Sequence, residues 1–158
     1  MRRFFMALAL AVLPLTGAGA QRAPVEHFGA PQLGGQPLPF SSAVRVGDVL
    51  YLSGQIGIGP NGRLPEGIEA QTRQTMENIG AILRSAGRGW DDVFHCTAML
   101  DNMADWPAFN RVYVTYFTPG RLPARSALGA DGLALGALIE VECQAYAGPA
   151  SASRRRAG

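Results

Sequence analysis

From Ser42 to Val46 apolar and polar residues alternate, Gly47-Asp48 marks a turn, and Val49 to Ser53 continues as a mostly apolar run. An alternating run and an apolar run on either side of a two-residue Gly-Asp step predict a β-hairpin. Gly54 to Pro65 holds glycine, proline and asparagine at turn density, the mark of a loop or a short strand pair. The period then changes. Ile68, Thr72, Met76, Ile79, Leu83 and Ala86 recur every three or four residues while Glu69, Arg73, Glu77 and Arg84 lie off that stripe, which predicts a helix from Gly67 to Ala86 stopped by Gly87. Val93 to Leu100 reads as a strand. Asn102 to Phe117 reads as a second helix, with Trp106, Phe109, Tyr113, Tyr116 and Phe117 on one stripe and Pro107 tolerated in the first turn. The aromatic stripe is most simply core. Ala124 to Leu128 and Leu138 to Ala147 close the chain as two strands, joined by the glycine-rich stretch from Gly129 to Gly136. Hairpin, helix, strand, helix and two strands predict an α+β fold, a mixed sheet with two helices packed on one face.

The two ends differ from this body. Arg2-Arg3, the apolar run from Phe4 to Leu15 and the small residues Ala18-Gly19-Ala20 resemble an export signal over 1–20, by the general or the twin-arginine route. The run falls short of the roughly 20 apolar residues of a membrane span, so no stable insertion is expected once the signal is removed. The expected location is periplasmic or secreted. Residues 21–37, rich in Gly, Pro and Gln, read as an extended lead-in; 38–148 form the domain; 149–158, around Arg154-Arg155-Arg156, read as a disordered basic tail.

All 14 basic residues are arginine. A phosphate-loop lysine, a Schiff-base lysine and lysine acid–base chemistry are therefore excluded. Between Pro37 and Gly148 eight arginines stand against eleven acids, so the domain itself is acidic and offers no broad footprint for nucleic acid. Two His and two Cys, far apart in sequence, do not compose a closed zinc site, and no metal is expected. Ser53 lacks the leading glycine of a nucleophile elbow, and His95 alternates with apolar neighbours, so a hydrolase triad is set aside. Cys96 and Cys143 each lie mid-strand, where a disulfide and two buried thiols both remain open.

The segment Leu122-Pro123-Ala124-Arg125-Ser126-Ala127-Leu128 is unusual. An arginine that begins a strand among apolar and small residues is costly to bury without an anion, and its planar fork suits a carboxylate. That anion could be internal: Glu140 and Glu142 share one face of the last strand. If that face is buried, a carboxyl there has a raised pKa; if exposed, both are ordinary surface residues.

Taken together, Ser53-Gly54-Gln55-Ile56, Asn110 with Tyr113 and Phe117, Pro123-Ala124-Arg125-Ser126 and Ile139-Glu140-Val141-Glu142 resemble the Rid (YjgF) family of enamine/imine deaminases. The likeness runs from about Pro39 to Ala147. It implies a chorismate-mutase-like fold, a homotrimer with sites between subunits, and no cofactor. It further implies that Arg125 holds the substrate carboxylate, aided by the backbone N–H of Ala127, and that Asn110 and the Ser53-Gly54 turn line the pocket. Glu140 would activate the water that attacks the imine carbon. Substrates would be 2-aminoacrylate and related 2-imino acids, hydrolysed to 2-keto acids and ammonia. Phe40 stands where active members carry a pocket tyrosine, so one hydroxyl contact is lost. A second reading of the same resemblance is a non-catalytic module that binds small carboxylates.

Overall fold

The structure, a computed structural model, describes residues 23–148; the segments read as export signal and basic tail lie outside them. Strands β1 (Val25–Phe28), β4 (Ala43–Val46), β5 (Val49–Leu52), β7 (Val93–Leu100), β8 (Ala124–Gly129) and β9 (Ile139–Tyr146) form one sheet in the order β1-β4-β5-β9-β7-β8. The two-residue strand β6 (Gln55–Ile56) also pairs with β9, beyond the end of β5. Strands β2 (Gln32–Leu33) and β3 (Gln36–Pro37) make a separate small hairpin. The lead-in thus does more than extend the chain: its first strand adds an edge to the sheet, with Val25 opposite Val46 and Phe28 opposite Ala43.

Most neighbours run antiparallel. The exception is the edge strand β8, parallel to β7 with Cys96 opposite Arg125 and Ala98 opposite Ala127. A parallel neighbour requires a crossover, and helix α2 (Trp106–Tyr113) supplies it. The hairpin between β4 and β5 turns on Gly47 at φ 58, a left-handed value that glycine adopts without a Cβ penalty.

Helix α1 (Ile68–Ser85) packs on β9 and α2 with the stripe read from sequence: Thr72, Met76, Ile79 and Leu83 are fully buried. It ends in a Schellman motif. Gly87, at φ 68, donates to the Arg84 carbonyl and Arg88 to that of Leu83, so two orphan carbonyls of the last turn are satisfied. The second helix is shorter than its periodicity suggests. Asn102 caps a 3-10 turn at Met103–Asp105, α2 covers Trp106–Tyr113, and Val114–Tyr116 tightens again into 3-10 geometry before Thr118-Pro119. Apolar spacing does not distinguish these tightened ends from α-helix, since both keep the stripe inward.

Residues 139, 141, 143 and 145 of β9 face the helices and are buried, as are 96, 98 and 100 of β7. Cys96 and Cys143 are register partners on this inner face and are joined by a disulfide. The bridge closes a separation of 47 residues, and a loop of that length stabilises a fold by about 4 kcal/mol through the unfolded chain. On the opposite face, among the described residues, Tyr51 and Leu128 are each 47% exposed, and the exposed Val46 and Tyr146 flank Val49, two residues from Tyr51 on β5.

Candidate active site

Arg125 lies on β8 with the same facing as its partner Cys96, so it points to the helix side of the sheet's edge. Three rings of α2 receive it: its guanidinium carbon lies 4.7 Å from the Tyr113 ring centre, 5.2 Å from Phe109 and 5.5 Å from Trp106. The aromatic stripe is therefore core on one side and a cation platform on its rim. The rings lie within cation–π range of the guanidinium, and its planar fork suits the two oxygens of an anion. Neither Glu140 nor Glu142 takes that place. Among the described residues the salt bridges are Arg45 with Glu26 and Arg111 with Glu69.

Asn110 lies one turn from both Trp106 and Tyr113, on the same stripe. Its Oδ1 and the Tyr113 hydroxyl are buried without a hydrogen-bond partner. Burial pushes the Tyr113 hydroxyl up to about 12 although Arg125 pulls it down, so it stays protonated and able to donate. Ala127 sits two residues beyond Arg125, half-buried against the core and opposite Ala98. One edge of the fold thus gathers Arg125, Asn110 and Ala127, with an unused donor and acceptor beside the cation.

Glu140 belongs to a different place. It alternates onto the outer face of β9 with Glu142, between Met99 of β7 and Ile56 of β6. Glu140 is half-buried while Glu142 is exposed. Burial raises its pKa above the usual carboxylate value, and the charge of Glu142 raises it further. The side chain rests on Gly54, where an added Cβ would overlap the carboxylate. A side chain at position 54 would push the Glu140 carboxylate from this place.

Glu140, Gly54 and Phe40 share the wall of a cleft of about 430 Å³, completed by β2, β6 and the loop before β9. Phe40 is 46% exposed there. Ser53 is used differently from the pocket contact expected of it: its hydroxyl donates to the Ser41 carbonyl at 2.7 Å and its N–H to Ser42, fixing the segment that carries Phe40. Sequence reasoning missed two further supports on α1. Asn78 donates to the carbonyls of Ile56 and Ile58, both at 3.0 Å, and Gln71 accepts from the Leu138 N–H at 2.8 Å. They pin β6 and the start of β9 to the helix; their only trace in the sequence is an amide among the inward positions of α1.

The expected residues therefore form two half-sites. Arg125, Asn110 and Ala127 open at the β8 edge on the helix side; Phe40, Gly54 and Glu140 open beyond β9 on the other face, with β7 between.

A family model described as "Endoribonuclease L-PSP" matches residues 35–147. Mouse 2-iminobutanoate/2-iminopropanoate deaminase is 40% identical over 113 residues, covering 70% of this chain and 83% of that one. Among solved structures, a conserved Rid-family protein of unknown function from Yersinia pestis, YyfA, superposes with a TM-score of 0.71 at 35% identity, covering 78% of this chain and 99% of the other. The E. coli protein TdcF, solved with bound serine, does so with a TM-score of 0.66 at 28% identity over 69% of this chain and 88% of its own.

Proposed function

The chain belongs to the Rid (YjgF) family, and on that premise we propose that it hydrolyses 2-imino acids and their enamine tautomers to 2-keto acids and ammonia at sites built between copies of itself. The observation that carries this reading is the cation without an anion: a guanidinium seated on three rings, with no carboxylate in salt-bridge distance among the described residues. The deaminase name of the mouse relative and the serine bound by TdcF, an amino acid with a carboxylate, support the same assignment.

Two copies are needed because one chain keeps the half-sites on opposite faces of its sheet. On the outer face of the described residues, Val46, Tyr51 and Tyr146 on three adjacent strands are exposed, as is Leu128 on the edge strand, and such exposed apolar side chains support association. A homotrimer, in which each copy offers Arg125 to one neighbour and Glu140 to the other, closes the arrangement with no half-site left over.

The steps follow from the groups. Arg125 grips the carboxylate through paired hydrogen bonds and orients the imine carbon. A water beside Glu140 gives a proton to the carboxylate as its oxygen bonds to that carbon, and the imine nitrogen is protonated. The resulting carbinolamine loses its C–N bond as the nitrogen takes a further proton and leaves as ammonia, while the hydroxyl proton departs and a carbonyl forms. Glu140 carries protons between oxygen and nitrogen and ends as it began. The residues present supply every step, so the reading includes no cofactor.

An amino-acid oxidase that generates imines in situ, with semicarbazide to trap what survives, tests this. Wild-type protein is expected to outcompete the trap and leave 2-keto acid and ammonia. Equal trapping with and without protein overturns the enzyme; 2-keto acid binding without turnover would then support a carboxylate-binding module, for which Phe40, lacking a hydroxyl in the cleft, is the structural motive.

A further inference from the structure

The cleft beside Glu140 has a composition that the reaction itself does not require. Leu33 and Leu38 enter from the β2–β3 hairpin and its exit, Ile56 and Ile58 from β6 and the following residues, Leu135 from the loop before β9, and Phe40 from the segment between. Its polar groups are largely engaged already. The Asn78 amide donates to the Ile56 and Ile58 carbonyls and its oxygen accepts from Gln74; the Gln55 amide donates to Ser53 and Gly54. Among the described residues of one chain no arginine or histidine lines it, and its one charged group is the Glu140 carboxylate. A site with an anion at its base and no cation repels a carboxylate, so that end of the substrate stays with Arg125. What enters is the substituent on the imine carbon.

Leu135 adds a second, independent observation. It is the one non-glycine residue with positive φ among the described residues, at φ 59 and ψ 18, yet its side chain is 60% exposed while lining this wall. A left-handed leucine is uncommon, and strain held at an exposed apolar side chain points to use by a ligand rather than by the core.

We propose that this cleft is a side-chain pocket, with Leu33 and Leu135 as its specificity-determining residues, and that the chain prefers 2-imino acids with bulky apolar side chains over the methyl-bearing 2-iminopropanoate. This rests on the deaminase reading above. A volume of about 430 Å³ lies in the range of pockets that enclose whole small molecules, and a methyl group would leave most of it to water. A branched or aromatic substituent displaces that water and meets apolar surface on several sides. Discrimination by an apolar pocket is about tenfold or more per methylene group gained.

The experiment compares kcat/KM for imines generated from leucine and from alanine, in wild type and in the double variant Leu33→Gln, Leu135→Asn. Asparagine tolerates the left-handed backbone at 135, so the loop is kept while the apolar wall is removed. Wild type is expected to favour the leucine-derived imine by about tenfold or more, and in the double variant the ratio of the two kcat/KM values is expected to fall about tenfold. Equal use of both imines by wild type, or an undiminished preference in the variant, overturns the pocket and leaves the deaminase reading standing. Hydrolysis of neither overturns that reading, and calorimetric binding then decides the pocket: 4-methyl-2-oxopentanoate binding more tightly than pyruvate, with the advantage lost in the variant, supports it. Equal or absent binding overturns it.

Discussion

Replacing Arg125 with alanine is expected to lower kcat/KM for 2-imino acids by about a hundredfold to a thousandfold. Truncating one partner of a desolvated charge pair costs about 2–5 kcal/mol, and each 1.4 kcal/mol is a factor of ten. Here the loss is a two-point grip, so it falls on substrate positioning as well as on affinity. Arg125→Lys keeps a cation above Tyr113 and Phe109 but loses the fork, and its kcat/KM should fall about tenfold to a hundredfold, between wild type and alanine. The rings gain or lose only about 1 kcal/mol with the cation, so both variants should melt cooperatively and close to wild type. Steady-state kinetics with a thermal melt of each variant checks this. Full activity in Arg125→Ala contradicts the anion clamp.

The second large effect belongs to Glu140. Glu140→Gln keeps the size of the side chain lying against Gly54 and removes the base, and kcat should fall by about a hundredfold to ten-thousandfold. The pH dependence carries the sign. Glu140 works ionised, and burial, then Glu142, raises its pKa above 4.5. Activity is therefore full above the raised value and lost as pH falls through it, so the acid limb of kcat/KM lies at higher pH than an ordinary glutamate gives. Glu142→Gln removes the smaller of the two causes and should shift that limb modestly toward acid. In Glu140→Gln the limb should disappear. A limb that persists there unchanged assigns the base to another group.

Much of this was legible in the chain. Period 3.6 in Ile68 to Ala86 announced α1, and Leu50, Leu52, Ile139, Val141 and Cys143 alternate inward as their pattern says. Arg125 stood out because a cation among small residues needs an explanation. Other features depend on distance in sequence. The strands β2, β3 and β6 span two residues each, too short for any period; β2 and β3 pair only with each other, and β6 exists because β9, far along the chain, meets it. Val25–Phe28 pairs with β4 although glycine and proline dominate its surroundings. The Cys96–Cys143 bond required the register of β7 on β9, which apolar alternation sets only to a face. Leu33 and Leu135 read as unremarkable leucines until the fold brings them to one wall with Glu140. Ser53 adds a role that the motif does not announce: its hydroxyl ties down the backbone at Ser41.

The two half-sites face opposite sides of one sheet, and that geometry is tested most directly by mixing two inactive variants. Arg125→Ala and Glu140→Gln chains, co-expressed with different tags and purified through both, form mixed oligomers. If each site takes its arginine from one copy and its glutamate from the next around a trimer, one site of the three in every mixed trimer holds both native residues, about a third. Imine hydrolysis should therefore return to about a third of the wild-type rate per chain. Mixed oligomers as inactive as either parent would mean that both groups act within a single chain, and would contradict the shared site.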